Sequence, residues 1–267
     1  MDVSIIILNY HTRALAEACV DSVIRHTEGV SYEIILVENG SGEFTESRWP
    51  EDIVKLVVIK DNIGFAGGNN YGIKHAKGRY ILLLNSDAYL ISNAVAITCR
   101  FLDDHPKAGV VSPRLVFPDG RHQSAAQRFP SVKYQLLELF RVQKFMSNKA
   151  AGELLLGAFF DHKTSVTADW VWGTFFLFRA ELLNHMPGNK LDDSYYMYFE
   201  DMQWCMDIWK LGYEVWFSAD TEVVHLMGGS SSDKQALMKK YEQQFLERNF
   251  STLERISIQF LKNLLSR

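Results

Sequence analysis

The feature that most limits the fold is an alternation in the first 110 residues: short β-branched runs separated by segments of helical periodicity. Residues 3–8, 32–37, 54–59 and 80–84 read as buried strands. Residues 14–26 place Leu15, Ala18, Cys19, Val23 and Ile24 at helical spacing and stop at Gly29, and residues 67–77 read as a second helix. Strands alternating with helices predict an α/β fold: a mostly parallel central sheet with helices on both faces. In such sheets ligands bind beyond the carboxyl ends of the strands. Those ends are Asn9-Tyr10-His11, Glu38-Asn39-Gly40-Ser41, Asp61-Asn62 and Asn85-Ser86-Asp87, all polar and expected to line one rim.

The second half is less regular. It predicts a helix over 92–105 with Ser92 as N-cap, a turn at 118–120, one or two strands in 170–179, a helix over 199–211 and short strands at 215–218 and 222–225. Residues 131–160 show no clear period. The chain has 267 residues, 47% hydrophobic and 22% charged, as in ordinary soluble proteins. A net charge of −4 argues against a nucleic-acid partner. Cys19, Cys99 and Cys205 are odd in number and far apart, which predicts buried free thiols in a reducing compartment. The opening segment lacks the pattern of a signal peptide, and no apolar run approaches the roughly 20 residues of a membrane span. A cytoplasmic protein is expected, free or peripheral at the inner face of the membrane.

From residue 234 onward the balance reverses, with seven Lys/Arg against three Asp/Glu. Leu246, Phe250, Leu253, Ile256, Phe260 and Leu264 follow one helical stripe. Such a stripe packs a helix on its own domain or on a second copy, or lays it on an anionic membrane.

Four places carry chemistry. Asp87, just beyond a strand end, suits a hard cation, Mn2+ or Mg2+. His225 leaves an extended segment for a Gly-rich turn and would complement Asp87 toward Mn2+. Glu200-Asp201 opens a helix beside an aromatic run, as acids do to satisfy a helix dipole or to serve as a general base. Residues 62–72 hold three Asn and four Gly before a helix, which favours backbone approach to phosphate.

In order along the chain, these motifs resemble the family 2 glycosyltransferases of the GT-A fold, with the closest likeness to the bacterial rhamnosyltransferase-like branch. Residues 3–11 are similar to the family's opening strand and turn, and Glu38-Asn39-Gly40-Ser41 to its base-binding turn. Residues 62–72 resemble its Asn-x-Gly-Phe segment, and Leu84-Asn85-Ser86-Asp87 its variant D-x-D. Tyr198-Phe199-Glu200-Asp201 and His225-x-x-Gly-x-Ser resemble its catalytic acid pair and C-terminal His motif. The resemblance covers residues 1–232: a nucleotide-binding half to 110, an acceptor-binding half from 111, then a helical tail over 233–267.

The resemblance implies inverting transfer from a UDP- or dTDP-sugar, rhamnose included, to a hydroxyl of a glycan or lipid-linked acceptor in bacterial surface polysaccharide synthesis. Asp201 would be the general base with Glu200 in support. Asp87 and His225 would hold the divalent metal. Tyr10, Glu38, Asn62, Gly64, Asn69, Asn85, Ser86 and Asp87 would bind the nucleotide, Glu38 by accepting from the pyrimidine N3–H. Trp172, Gly173 and Thr174 would meet the acceptor. Three positions depart from the family pattern: Glu38 stands for Asp, Gln203 for an acid and Asp207 for a cation. A sugar nucleotidyltransferase would need a Gly-rich basic loop after the first strand, where Asn9-Tyr10-His11-Thr12-Arg13 stands instead. A non-catalytic binding module would have little use for Asp87, Asp201 and His225 together.

Overall fold

The computed structural model describes residues 1–227 and 234–265. The chain begins β1 (Val3–Asn9), α1 (Arg13–His26), β2 (Tyr32–Asn39), β3 (Val54–Ile59), α2 (Gly64–Ile73) and β4 (Tyr80–Asn85). It continues through β5 (Ala88–Leu90), α3 (Ala94–Asp104), β6 (Ala108–Val116), β7 (Ala126–Gln127), α4 (Val132–Leu139) and α5 (Asn148–Leu155). Then come β8 (Val166–Ala168), β9 (Trp170–Val171), β10 (Phe175–Arg179), α6 (Glu200–Lys210), β11 (Glu214–His225), α7 (Lys234–Asn249) and α8 (Thr252–Leu265).

One nine-stranded sheet runs β3-β2-β1-β4-β10-β6-β11-β5, with β8 beside β11. It is parallel from β3 to β4. Beyond β4 it is mixed, because β10 is antiparallel to both β4 and β6 while β6 and β11 are parallel. The central strands are apolar on both faces. Ile5, Ile7, Leu36 and Leu82 face one core with Cys19 and Val20 of α1, while Ile6, Ile35, Val37 and Leu83 face the other with Ala66 of α2 and Trp204 of α6. That is why these runs are continuously hydrophobic rather than alternating. Strands from both sides of residue 110 share this sheet and both cores.

Several boundaries differ for local reasons. β11 is one strand rather than the two short ones expected, because its register shifts between Ser218 and Glu222, at polar residues. α3 begins after Asn93, and the Ser92 hydroxyl bonds Thr221 instead of capping it. The tail is two helices. Ser251 accepts from the Glu254 amide and Glu254 accepts from the Ser251 amide, a capping box that restarts the helix at Thr252. The single stripe is therefore divided: Leu246 is buried, whereas Leu253, Ile256, Phe260 and Leu264 are exposed. In α7, Tyr241 and Phe245 pack on Tyr195 and Met202 of the body. The expected boundary at 232–233 lies outside the described residues. All three cysteines are free and buried. No described helix is long and apolar enough to cross a membrane.

Candidate active site

The carboxyl ends of β1, β2 and β4 are tied together by Asn9, a buried residue that sequence reasoning places on the rim without a role. Its amide donates to Glu38 at 2.7 Å, Ser41 at 3.1 Å and Glu43 at 3.0 Å. Its oxygen accepts from Thr12, whose hydroxyl lies 2.9 Å from that of Ser86. Asn9 thus joins the β1 and β2 ends, and Thr12 carries the link on to the β4 end.

Glu38 does something other than its motif suggests. It is wholly buried, and its carboxylate accepts from the Ser41 amide (2.6 Å), the Ser41 hydroxyl (2.6 Å), the Gly42 amide (3.0 Å) and Asn9. Although burial opposes the charge, these donors hold the carboxyl below its ordinary value. These donors, with the Phe44 amide at 3.3 Å, make Glu38 the residue that shapes the 38–44 turn.

The Gly-rich segment also turns inward. Gly64 has φ +82°, and a Cβ there would lie 2.5 Å from the Tyr196 carbonyl oxygen. The Phe65 amide donates to that oxygen at 2.8 Å. The α2 N-terminus therefore receives the 195–199 loop. Cβ atoms at Gly68 and Gly72 would meet Leu8 and Ile6, so the glycines let α2 lie close on β1. Asn62 accepts from Asn39 and the Gly64 amide, and Asn69, buried, donates to the Phe65 carbonyl. Both are internal braces.

Asp87 and His225 do meet. β11 pairs with β5, setting His225 opposite Ala88, and the Leu226 amide donates to the Asp87 carbonyl at 3.0 Å. The imidazole Nε2 lies 3.4 Å from Asp87 Oδ1. Buried Gln123 fixes the ring. Its amide nitrogen must face the His225 carbonyl, an acceptor, at 2.7 Å, so its oxygen faces Nδ1 at 2.7 Å. Nδ1 is then the donor, and a neutral Nε2 turns its lone pair to a carboxylate. Two acceptors at that distance call for a proton or a cation between them. Asn85 Oδ1, buried nearby in sequence, has no hydrogen-bond partner among the described residues. These donors fit Mn2+ or Mg2+, provided that the remaining positions come from diphosphate and water. No third His, Cys, Asp or Glu joins them among the described residues. The Gly228-x-Ser230 turn of the His motif lies outside the described residues.

Tyr198 and Phe199 have φ +73° and +69° directly before α6. Adjacent left-handed residues without glycine cost about 1–3 kcal/mol each and persist where the surroundings impose them. They aim Glu200-Asp201 at the rim. Glu200 is buried, and its Oε2 has no hydrogen-bond partner among the described residues. Burial first, then the Asp201 charge, raises its pKa well above the carboxylate range. Asp201 is partly exposed and accepts from the Gly173 amide at 3.1 Å and its neighbour Met202 at 2.8 Å. Burial pushes it up to about 6 against those bonds. Unlike environments distinguish these adjacent acids: burial and the neighbouring charge disfavour the Glu200 anion more, and Asp201, with two amide donors, is the easier of the two to ionise.

Residues 172–174 tie the two chemistries together. The Trp172 ring stands edge-on to His225 with centroids 6.4 Å apart. The Gly173 amide holds Asp201, and the Thr174 carbonyl accepts from the Asn85 amide at 3.0 Å. Gly173 and Thr174 are buried, so they join the halves of the site rather than offering side chains to an acceptor. Tyr10 is 43% exposed, and its electrostatic effect reaches Tyr196, itself 41% exposed, across the rim. Gln203 and Asp207 point away: Gln203 donates to Asp207 and accepts from Asn249, locking α6 to α7.

The chain and its fold have known counterparts. The family model for glycosyl transferase family 2 matches residues 4–185. The chain is 38% identical over 94 residues to the uncharacterized glycosyltransferase EpsJ of Bacillus subtilis, covering 34% of this chain and 27% of that protein. It is 34% identical over 109 residues to the Escherichia coli beta-1,3-glucosyltransferase WfaP, which acts on alpha-D-GlcNAc-diphosphoundecaprenol, covering 38% of this chain and 41% of that protein. In both, the matched stretch is under half of the relative's own length, and neither name specifies rhamnose. The crystal structure of GalNAc-T7 with UDP, GalNAc and Mn2+ superposes with a TM-score of 0.66 at 15% identity, covering 92% of this chain and 48% of that one. With the family model spanning more than half of its length, the chain belongs to glycosyl transferase family 2, on a GT-A-like fold.

Proposed function

We propose that the protein is an inverting glycosyltransferase that moves a sugar from a nucleoside diphosphate sugar to a hydroxyl of a glycan or lipid-linked acceptor in bacterial surface polysaccharide synthesis. The observation that carries this reading is the coupling of two unlike centres, Asp87–His225 and Asp201, through Trp172 and Gly173. Asp201, ionised at neutral pH and partly exposed, takes the proton from the acceptor hydroxyl as its oxygen attacks the anomeric carbon. The bond to the diphosphate breaks, and the diphosphate leaves with the electron pair. Asp87 and His225 would hold a divalent ion, which when bound would supply positive charge toward the leaving diphosphate. Glu200, whose carboxyl is shifted upward by burial and by the Asp201 charge, supports Asp201 as the acid of the pair that ionises first. Tyr10 and Tyr196 offer aromatic walls to the base of the nucleotide. Reading of the pyrimidine passes from the Glu38 side chain to the turn it holds.

The test is nucleotide release from a panel of UDP-, dTDP-, GDP- and ADP-sugars, with short glycan and undecaprenyl-diphosphate-linked acceptors, in Mn2+, Mg2+ or EDTA. Acceptor-dependent release from one donor, lost in EDTA, supports the reading. Tight binding of a nucleotide sugar without turnover on any acceptor favours the non-catalytic module.

A further inference from the structure

The described surface has an apolar face that the proposed transfer site leaves unused. It begins at the end of α4, where Phe140 is 69% exposed, and continues in the 3-10 turn Val142–Phe145, where Phe145 is 88% exposed. α8 packs on α4 and extends the face. Ile258 and Leu261 are its buried side. Leu253, Ile256 and Phe260 fall on a different side, with Leu253 at 76% exposure. α4 itself holds no buried residue among those described, although Val132, Leu136, Leu137 and Leu139 make half of it aliphatic. Single exposed apolar residues are ordinary, but several this exposed on two elements packed together mark a contact.

The charge around this face selects the occupant. Residues 132–149 hold four Lys/Arg against one Asp/Glu in a chain of net charge −4. Arg141 and Lys144 lie exposed between Phe140 and Phe145, so two cations are flanked by two aromatic side chains at the tip. Aromatic residues that enter the headgroup region beside cations that meet anionic lipid are the pattern of an interfacial anchor. A second copy of this chain would oppose cation to cation here. We propose that the α4–α8 face, led by Phe140, Phe145 and Phe260, is a docking surface for an anionic lipid bilayer. The face is composite: α7, inside the basic tail, is engaged with the body and takes no part. This inference stands independently of the transfer chemistry, because binding is read without turnover.

The experiment is co-sedimentation of the full chain with phosphatidylcholine vesicles, with and without phosphatidylglycerol, at low and high salt. Wild type sediments with the anionic vesicles only, and less as salt screens the cations. Phe145→Ser with Phe260→Ser, and separately Arg141→Glu with Lys144→Glu, each weaken binding roughly tenfold or more while thermal melting stays as in wild type. Lys239→Glu with Lys240→Glu on α7 leaves binding unchanged. No sedimentation of wild type at low salt overturns the proposal. So does binding lost through the α7 pair but kept by both other pairs, or a concentration-dependent dimer abolished by the Phe variants.

Discussion

Glu200 and Asp201 are adjacent acids in unequal surroundings, and pH should expose the difference. A carboxyl whose folded pKa is raised binds more protons in the folded state than in the unfolded state. Its burial therefore costs stability once pH exceeds the unfolded value, and the cost grows up to the raised folded value. Glu200→Gln removes one such group without changing its shape. The variant should gain melting temperature relative to wild type between pH 5 and pH 8, with the difference smallest at the acid end. A difference that shrinks with rising pH would show that Glu200 is not held neutral. Turnover should fall below about pH 6 as Asp201 takes up its proton.

Gln123 is the other residue whose task follows from geometry alone. Gln123→Ala leaves Nδ1 of His225 without its acceptor, at a cost of roughly 1–3 kcal/mol in stability. It also frees the ring to rotate, so Mn2+ affinity in the presence of UDP, measured by calorimetry, should fall about 10–100-fold. Unchanged affinity would remove His225 from the metal site. Nothing in the sequence singles out Gln123, 102 residues before its partner. Asn9 is legible as a rim residue but not as a joint, because Glu38, Ser41 and Glu43 are 29 or more residues away and only the fold brings them to it. Glu38 is legible as a residue type at a position, but the motif does not show the five donors that meet its carboxylate.

Among the elements, α2 and the 195–199 loop form the joint that sets the acids in place. Gly64→Ala would put a methyl 2.5 Å from the Tyr196 carbonyl at φ +82°. It should destabilise the protein by at least about 1 kcal/mol and move Tyr198 and Phe199, lowering kcat more than donor affinity. Melting and steady-state kinetics on the same preparation check this, and a variant with wild-type turnover would dissociate α2 from the acid pair. The strands β1 to β4 are legible because burial on both faces makes their apolar runs unbroken. Periodicity starts α2 three residues late, since glycine and asparagine are poor helix formers and only packing on β1 explains them. β11 reads as two pieces because its irregularity falls on polar residues. The break between α7 and α8 is hidden by a stripe that keeps helical spacing across Phe250 and Ser251, although Ser251-x-x-Glu254 is a visible capping signal.

Across the whole molecule, one sheet gathers chemistry from residues as distant as Asp87 and His225, and three residues of backbone at Trp172-Gly173-Thr174 join that pair to Asp201. The ordered motifs make the family legible, while the division of labour among their residues comes from burial and hydrogen bonds. The account predicts that the two centres fail separately. Asp87→Ala should weaken UDP or dTDP binding in Mn2+ to the level of wild type in EDTA. The most direct measurement is turnover of Asp201→Asn beside its nucleotide affinity, on the donor and acceptor that wild type uses. In this variant kcat should fall roughly 10²–10⁴-fold with nucleotide affinity unchanged. Near wild-type turnover in Asp201→Asn would contradict it.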